Sequence, residues 1–195
     1  METDKVKVSR EIILEKTLAL VDERDGIRNV TLRDIAKEVG CAHTNLYNYF
    51  GSLEDIFWEA LGKVLNKLME FSISGLSTES DPEESVNHIL SRFMDFSMDH
   101  PGWYRLIWLD SLSGKPSPEV EAVLEAPAAG FTELIRTAKD ELTPEQALSI
   151  GNVMLCYLHG ELCIWLNDRS FLKDRQQVRQ KIQDNLRSLY KLLIL

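Results

Sequence analysis

A run of hydrogen-bonding side chains follows Gly40, and their types indicate which chemistry they could perform. An imidazole, a hydroxyl and two amides come from His43, Thr44, Asn45 and Asn48, and two phenols come from Tyr47 and Tyr49. An asparagine amide donates and accepts at once, so it can pair with an adenine edge through two hydrogen bonds. Phenolic hydroxyls can donate to phosphate oxygens. These residue types are typical of a surface that binds nucleic acid.

The flanking sequence predicts the helices that would position this run. Thr31 followed by Asp34 is a capping-box variant that opens a short helix ending at Gly40. A second short helix is predicted over about Ala42–Tyr49, where Leu46 would face inward and leave the polar side chains exposed. Two short helices joined by a tight turn form a helix-turn-helix, whose second helix enters the major groove of DNA.

The rest of the chain repeats helical start signals and shows no sustained two-residue alternation, so we predict an all-α protein with about nine helices. Besides the two short ones, helices are predicted over about 9–24, 52–74, 81–99, 103–108, 118–139, 143–166 and 174–194. The fifth of these should be kinked or interrupted near Pro127. We expect residues 1–52 to form a three-helix DNA-binding domain and residues 53–195 a helical domain for ligand binding and dimerisation.

The segment Thr31–Ile56 resembles the DNA-binding signature of the TetR family of bacterial repressors, without a gap across 26 residues. The matching positions are Thr31, Ile35, Ala36, Gly40, Leu46, Tyr47, Tyr49, Phe50, Ser52, Glu54 and Ile56. By this resemblance, the residues that face bases would be Arg33, His43, Thr44, Asn45 and Asn48. Those that meet phosphates would be Thr31, Lys37, Tyr47 and Tyr49.

The resemblance implies a ligand-responsive transcription regulator, a repressor that a small, largely apolar molecule releases from a palindromic operator on double-stranded DNA. We predict a homodimer through the helices near 143–166 and 174–194, because the apolar stripe of the last helix would otherwise be exposed. Two alternatives stay open. One is a helical protein-interaction module with weak or no DNA binding. The other is an all-α enzyme, for which the sequence shows no convergent acid, base and nucleophile.

Charge weakens the DNA-binding interpretation. The chain has a net charge of −9; residues 1–50 contribute −1, from eight Lys/Arg and nine Asp/Glu, and the rest contributes −8. The predicted recognition helix carries no Lys or Arg, and Leu53 and Ala42 replace the family's usual lysine and serine. Binding would then depend on neutral hydrogen bonds and a few cations, with a shallow salt dependence. These cations are Lys5, Lys7, Arg10, Arg33 and Lys37.

Aromatic and sulfur-containing side chains of the later helices could line an apolar ligand pocket, although core packing is the alternative for each one singly. The set comprises Phe93, Phe96, Trp103, Tyr104, Trp108 and Met154. Cys156, His159 and Cys163 share one helix face, which suggests either a metal or redox site or, as we prefer, the packing seam of a dimer. We therefore predict no metal and no cofactor. No apolar run approaches the roughly 18–20 residues of a membrane span, and no secretory signal is present, so we expect a cytoplasmic protein.

Overall fold

The computed structural model describes residues 8–77, 81–139 and 141–195, and within these ranges the chain is all-α, as predicted. Nine helices and no strand occur in them. In chain order, the helices are α1 (Arg10–Glu23), α2 (Leu32–Val39), α3 (His43–Leu46), α4 (Leu53–Ile73), α5 (Pro82–Asp99), α6 (Pro101–Trp108), α7 (Pro118–Ala138), α8 (Pro144–Leu166) and α9 (Arg175–Leu193). Lys5 and Lys7 lie outside the described residues.

Several helices begin at the capping residues from which the sequence analysis predicted them to start. The Thr31 side chain caps α2 and the Thr143 side chain caps α8, each completing a capping box with the residue three positions later. Asp174 caps α9 in the simpler way, by accepting from the Gln177 amide. The interruption expected at Pro127 is absent, and α7 continues through that residue.

The chain divides into two compact units. The first is formed by the described residues up to Asn66 together with His100–Leu124, and the second by Lys67–Asp99 together with Glu125–Leu195. Thus α6 belongs to the same compact unit as α1–α3, although it is distant from them in sequence. The functional boundary expected between residues 52 and 53 remains a prediction.

In the first unit, the apolar faces of α1–α4 meet in one core. Ile13, Ile35, Leu46 and Ile56, one from each of these helices, are at most 1% exposed. Each of these side chains contributes about 1.5–3 kcal/mol when it is fully removed from water. The two short helices are therefore held mainly by this shared core, because isolated helices of such length are marginal in water.

Helix α6 adds polar contacts to the end of α1 and to the loop that follows it. The Trp103 indole donates to the Leu18 carbonyl at 2.8 Å, and His100 Nδ1 lies 2.7 Å from Asp22 Oδ2. Beyond α6, the Asp110 carboxylate accepts from the backbone N–H of Ile27 at 3.0 Å. These bonds join residues about eighty positions apart and fix α6 and the residues after it to α1 and the loop that follows α1.

In the second unit, α9 packs its apolar stripe into the core, which corrects one expectation. Val178, Ile182, Leu186 and Tyr190 are at most 2% exposed within the single chain. The argument that this stripe must be covered by a second copy is therefore wrong. The large apolar side chains that α8 leaves exposed are Leu148, Val153 and Ile164.

By length and composition, α8 could cross a membrane, although no uninterrupted apolar run in the sequence indicates this. Core helices of soluble proteins meet the same criterion. Six α8 residues are buried in the unit, among them Met154, Leu158 and Leu162. This burial is typical of a helix that contributes to a protein core.

Candidate nucleic-acid interface

The turn between α2 and α3 depends on the backbone of Gly40. Gly40 adopts the left-handed conformation, with φ +77° and ψ +35°, which a side chain would strain. The following N–H, that of Cys41, donates to the Ala36 carbonyl at 2.9 Å and closes the end of α2. This geometry reverses the chain within three residues and starts α3 at His43.

At the other end of α2, Asp34 joins the capping box to an ion pair. Its carboxylate accepts from the Thr31 hydroxyl at 2.5 Å and from the Thr31 N–H at 2.9 Å. The Arg24 guanidinium, 3.0 Å away, is the main reason that the pKa of Asp34 is held well below its usual range, and the Thr31 bonds add to the effect. The Thr31 hydroxyl thus donates to Asp34 within the protein. Thr31 could donate to a phosphate, as predicted, only if this intramolecular bond were broken.

Helix α3 presents its polar side chains outward, as a recognition helix must. His43, Thr44 and Asn45 of α3, and Asn48 in the turn that follows it, are all exposed. Leu46, within the same turn, is 1% exposed and anchors the helix in the core. The exposed face can therefore offer two amides, an imidazole and a hydroxyl to the edges of bases.

The recognition helix is shorter than its predicted extent, Ala42–Tyr49. The N–H groups of Asn48 and Tyr49 bond to carbonyls three residues back, at 3.2 and 3.0 Å, so the helix tightens into turns after Leu46. Ala42 supplies no side-chain bond to the N-terminus of α3. The helix is therefore short and weakly capped.

The predicted phosphate contacts fall into two groups. Lys37 is exposed, as is Arg33, which was predicted to face bases, and neither forms an ion pair within the described part of the chain. Tyr47 is 54% exposed. Tyr49 is half-buried, and its hydroxyl donates to the Val8 carbonyl at 2.9 Å. The roles of all the predicted DNA contacts remain predictions.

The predicted ligand residues are divided equally between the two units. In the second unit, Phe93, Phe96 and Met154 are buried, and Phe93 makes an edge contact with His159 at a ring separation of 5.4 Å. The other three predicted residues, Trp103, Tyr104 and Trp108, belong to the first unit. Two cavities in the second unit, both between α5 and α9, are lined by residues that include none of the six. The apolar ligand pocket remains a prediction.

The cysteine and histidine cluster on α8 has mixed surroundings. Cys156 is exposed, while Cys163 and His159 are half-buried. Burial lowers the pKa of His159 below its ordinary value. Within the described ranges, no group of three His, Cys, Asp or Glu side chains is placed to hold a metal ion.

A capped α2, a left-handed glycine turn and a short helix with an exposed polar face define a helix-turn-helix DNA-binding protein. Residues 13–60 match the model of the bacterial regulatory proteins of the tetR family. Residues 13–60 therefore form a DNA-binding domain of the kind that this family carries.

Curated relatives and solved structures extend the similarity beyond the first helices. Nucleoid occlusion factor SlmA of Glaesserella parasuis is 28% identical over 133 residues, which cover 68% of this chain and 63% of that relative. The chain thus spans under two thirds of that relative's length. A protein of unknown function from Rhodococcus sp. RHA1 has a TM-score of 0.77 at 16% identity, with all of both chains covered. A tetR-family transcriptional regulator from Streptomyces coelicolor has a TM-score of 0.73 at 16% identity, over 95% of this chain and 82% of that one. At such identities these two structures show the shared fold.

Proposed function

We propose that this chain is a homodimeric transcription regulator that binds a palindromic operator and is released by a small, largely apolar effector. The main support is the opposite exposure of neighbouring residues on α3, where Leu46 is buried and Asn45 is exposed. The exposed amides of Asn45 and Asn48, beside the His43 imidazole, are able to reach base edges in a major groove. The proposal includes no catalytic step and places the protein in the cytoplasm.

Base recognition would come from Asn45 and Asn48 with His43, Thr44 and Arg33, while Lys37 and Tyr47 would fix the register on phosphates. A well-placed bidentate contact discriminates against a wrong base by about 1–3 kcal/mol. In a two-fold dimer, two copies of α3 would enter major grooves about 34–36 Å apart, or a multiple of that. The operator would be palindromic because the two symmetry-related copies of α3 read the same half-site sequence on opposite strands.

The dimer would form mainly through the outer face of α8. Val153 and Ile164 supply exposed apolar surface there on one stripe of the helix, while Leu148 is exposed on another side. Gly160 lies on the same stripe as Val153 and Ile164 and is open, since a Cβ would meet nothing within 4 Å. Clustered exposed apolar side chains usually mark an interface. The polar exterior of α9 would flank this face, because its apolar stripe is already buried.

The effector would bind in the second unit and stabilise a state in which the two recognition helices no longer match the groove spacing. A near-complete switch needs about a 10⁴-fold preference for that state. Buried Phe93, Phe96 and Met154 offer apolar, adaptable contacts for such a molecule in the second unit. Release by the ligand, rather than recruitment to DNA, is what the resemblance to tetR-family repressors implies.

A gel shift with the DNA upstream of the chain's own gene tests the proposal. Asn48→Ala should abolish the specific shift but leave the sedimentation of the protein unchanged. Asn66→Ala removes an exposed amide from α4, far along the chain, and should bind as the wild type does. Binding that Asn48→Ala leaves intact, or a folded dimer that never shifts this DNA at low salt, would contradict the proposal.

A second function has one observation in its favour. The similarity to nucleoid occlusion factors extends over 133 residues, well beyond the 48 residues of the matched DNA-binding model (13–60). In this alternative the second unit would act from DNA on a protein partner instead of sensing a small molecule. Mapping the binding sites on the chromosome, with transcript levels after gene deletion, separates the two. Regulation predicts changed transcripts beside the sites, whereas a nucleoid occlusion role predicts sites whose neighbouring transcripts do not change.

A further inference from the structure

Arg10, the first residue of α1, is used inside the protein, although its charge suggested a contact with DNA. Its Nε donates to Glu59 Oε2 on α4 at 2.9 Å, and its Nη2 donates to the other carboxylate oxygen. Its Nη1 donates to the backbone carbonyl of Tyr49, just beyond α3. The guanidinium carbon lies 4.2 Å from the centre of the Phe50 ring. One side chain therefore touches both α4 and the end of the recognition helix.

The recognition helix needs such support because its own sequence supplies little. It has four residues, lacks a side-chain cap at Ala42 and ends in three-residue turns. The carbonyls at a helix C-terminus lack intrahelical partners and carry partial negative charge, so a cation there stabilises the end. No lysine, arginine or histidine follows His43 within the turns of residues 44–50, so the cation has to come from another helix.

A second bond in the opposite direction closes the link. The Tyr49 hydroxyl donates at 2.9 Å to the carbonyl of Val8, which lies two residues before the first residue of α1. The segment at the start of α1 thus accepts a hydrogen bond from the Tyr49 hydroxyl through the Val8 carbonyl. It also donates one to the Tyr49 carbonyl through the Arg10 side chain. Two bonds between the same two segments restrain rotation as well as separation.

We propose that Arg10 is a positioning residue for DNA recognition, held in place by Glu59, and that it does not contact phosphate. The planar guanidinium makes the paired bonds to Glu59 and still reaches the Tyr49 carbonyl, which the single ammonium of a lysine cannot do. The DNA-binding part of this inference rests on the proposed function, whereas the restraint of α3 does not. The matched family model begins at residue 13 and does not include Arg10.

Amide hydrogen exchange in the DNA-free protein tests the restraint. The probes are the N–H groups of Asn48, Tyr49 and Phe50, which bond to α3 carbonyls. Arg10→Gln and Glu59→Gln should each speed their exchange by about tenfold, a modest figure because the pair is partly exposed. The double variant should exchange no faster than Arg10→Gln alone, and Arg10→Lys should recover only part of the protection. Unchanged exchange in Arg10→Gln would overturn the inference.

DNA-binding measurements distinguish a positioning role from an electrostatic role, because the two predict opposite effects of Glu59→Gln on affinity. Glu59→Gln removes a negative charge, so an electrostatic role alone predicts tighter DNA binding, whereas loss of positioning predicts weaker binding. The probes are a duplex enriched from a random library and an unselected duplex of equal length. We expect Arg10→Gln and Glu59→Gln each to lower the affinity for the enriched duplex about tenfold. The affinity for the unselected duplex and the salt dependence of binding should both stay unchanged.

A matched control and the opposite outcome complete the test. Glu15→Gln makes the same charge change on an exposed side of α1 and should leave both affinities unchanged. A salt slope reduced by about one in Arg10→Gln, with tighter binding by Glu59→Gln, would assign Arg10 to a phosphate and overturn the proposal. If no duplex is enriched at all, the proposed function fails, while the exchange measurement still decides whether Arg10 restrains α3.

Discussion

Gly102 of α6 packs against the backbone of Val21 in α1 so closely that no side chain fits between them. A Cβ at position 102 would lie 2.6 Å from the Asp22 Cα and closer still to the Val21 carbonyl oxygen. Both neighbours are backbone atoms, which cannot rotate away. The contact brings α6 onto the last turn of α1 and permits the Trp103–Leu18 and His100–Asp22 bonds.

Gly102→Ala should therefore force α6 away from α1 and destabilise the first unit. Overpacking of this kind costs about 1–3 kcal/mol, which thermal or urea unfolding would measure as a lower midpoint. Gly130→Ala is the matched control, because Gly130 also lies within a helix but a Cβ there meets nothing within 4 Å. That variant should be as stable as the wild type or more stable by up to about 1 kcal/mol. Equal stabilities for the two variants would contradict the close packing.

The salt dependence of DNA binding should distinguish the roles of Lys37 and Asn48. Lys37→Ala should weaken binding to all duplexes and reduce the slope of log affinity against log salt by about one, because one phosphate contact is lost. Asn48→Ala should leave the slope unchanged and reduce the discrimination between the enriched and unselected duplexes by about 1–3 kcal/mol. Fluorescence anisotropy titrations at several salt concentrations would measure both effects. An unchanged slope in Lys37→Ala would remove that residue from the predicted phosphate contacts.

Substitution on the outer face of α8 should separate the proposed dimer. Val153 is 42% exposed in the single chain, and Val153→Glu would bury an unpaired carboxylate at the proposed interface. Sedimentation velocity should then show a monomer, and DNA binding should weaken because two half-sites can no longer be occupied together. Ile73→Glu introduces the same charge at an exposed isoleucine of α4 and should sediment as the wild type does. A dimer that persists in Val153→Glu would place the interface elsewhere.

The stability of the chain should fall on mild acidification because of His159. Burial lowers its pKa in the folded state below the ordinary value of about 6.5, so the unfolded chain takes up a proton that the folded chain resists. The contribution is fully present above pH 6.5 and is lost as the pH falls through the folded-state pKa. Melting curves at pH 7.5 and 5.5 should show a smaller loss of stability for His159→Gln than for the wild type. His43→Gln, at an exposed histidine, should lose as much stability between pH 7.5 and 5.5 as the wild type does. An equal loss of stability in all three proteins would show that His159 does not cause it.

Most of the fold could be predicted from local sequence signals. Thr31, Thr143 and Asp174 identify helix starts because a capping bond joins residues two or three positions apart. The exposed face of α3 was predictable for a related reason, since apolar Leu46 lies among polar residues and shows which side packs. These predictions concern neighbours in the chain and do not require knowledge of tertiary contacts.

Contacts between distant segments account for what the sequence did not reveal. The α9 stripe was expected to be exposed because nothing in Val178 or Ile182 shows that α5 and α8 of the same chain cover them. Arg10 was assigned to DNA by its charge alone, since its partner Glu59 lies 49 residues away. The length of α3 was overestimated because helical periodicity continues through turns that close three residues back. Each of these differences arises from a tertiary contact or a hydrogen-bond geometry that residue types do not encode.

Selection of DNA from a random duplex library by the full-length protein tests the central claim most directly. We predict enrichment of a palindrome whose half-sites lie one helical turn, about 10–10.5 base pairs, or a multiple of it apart. Asn48→Ala, carried through the same selection, should enrich a site that has lost its base preference at the position that Asn48 contacts. If the folded wild-type protein enriches no sequence at low salt, or enriches the same site as Asn48→Ala, then α3 is not a recognition helix and the account is wrong.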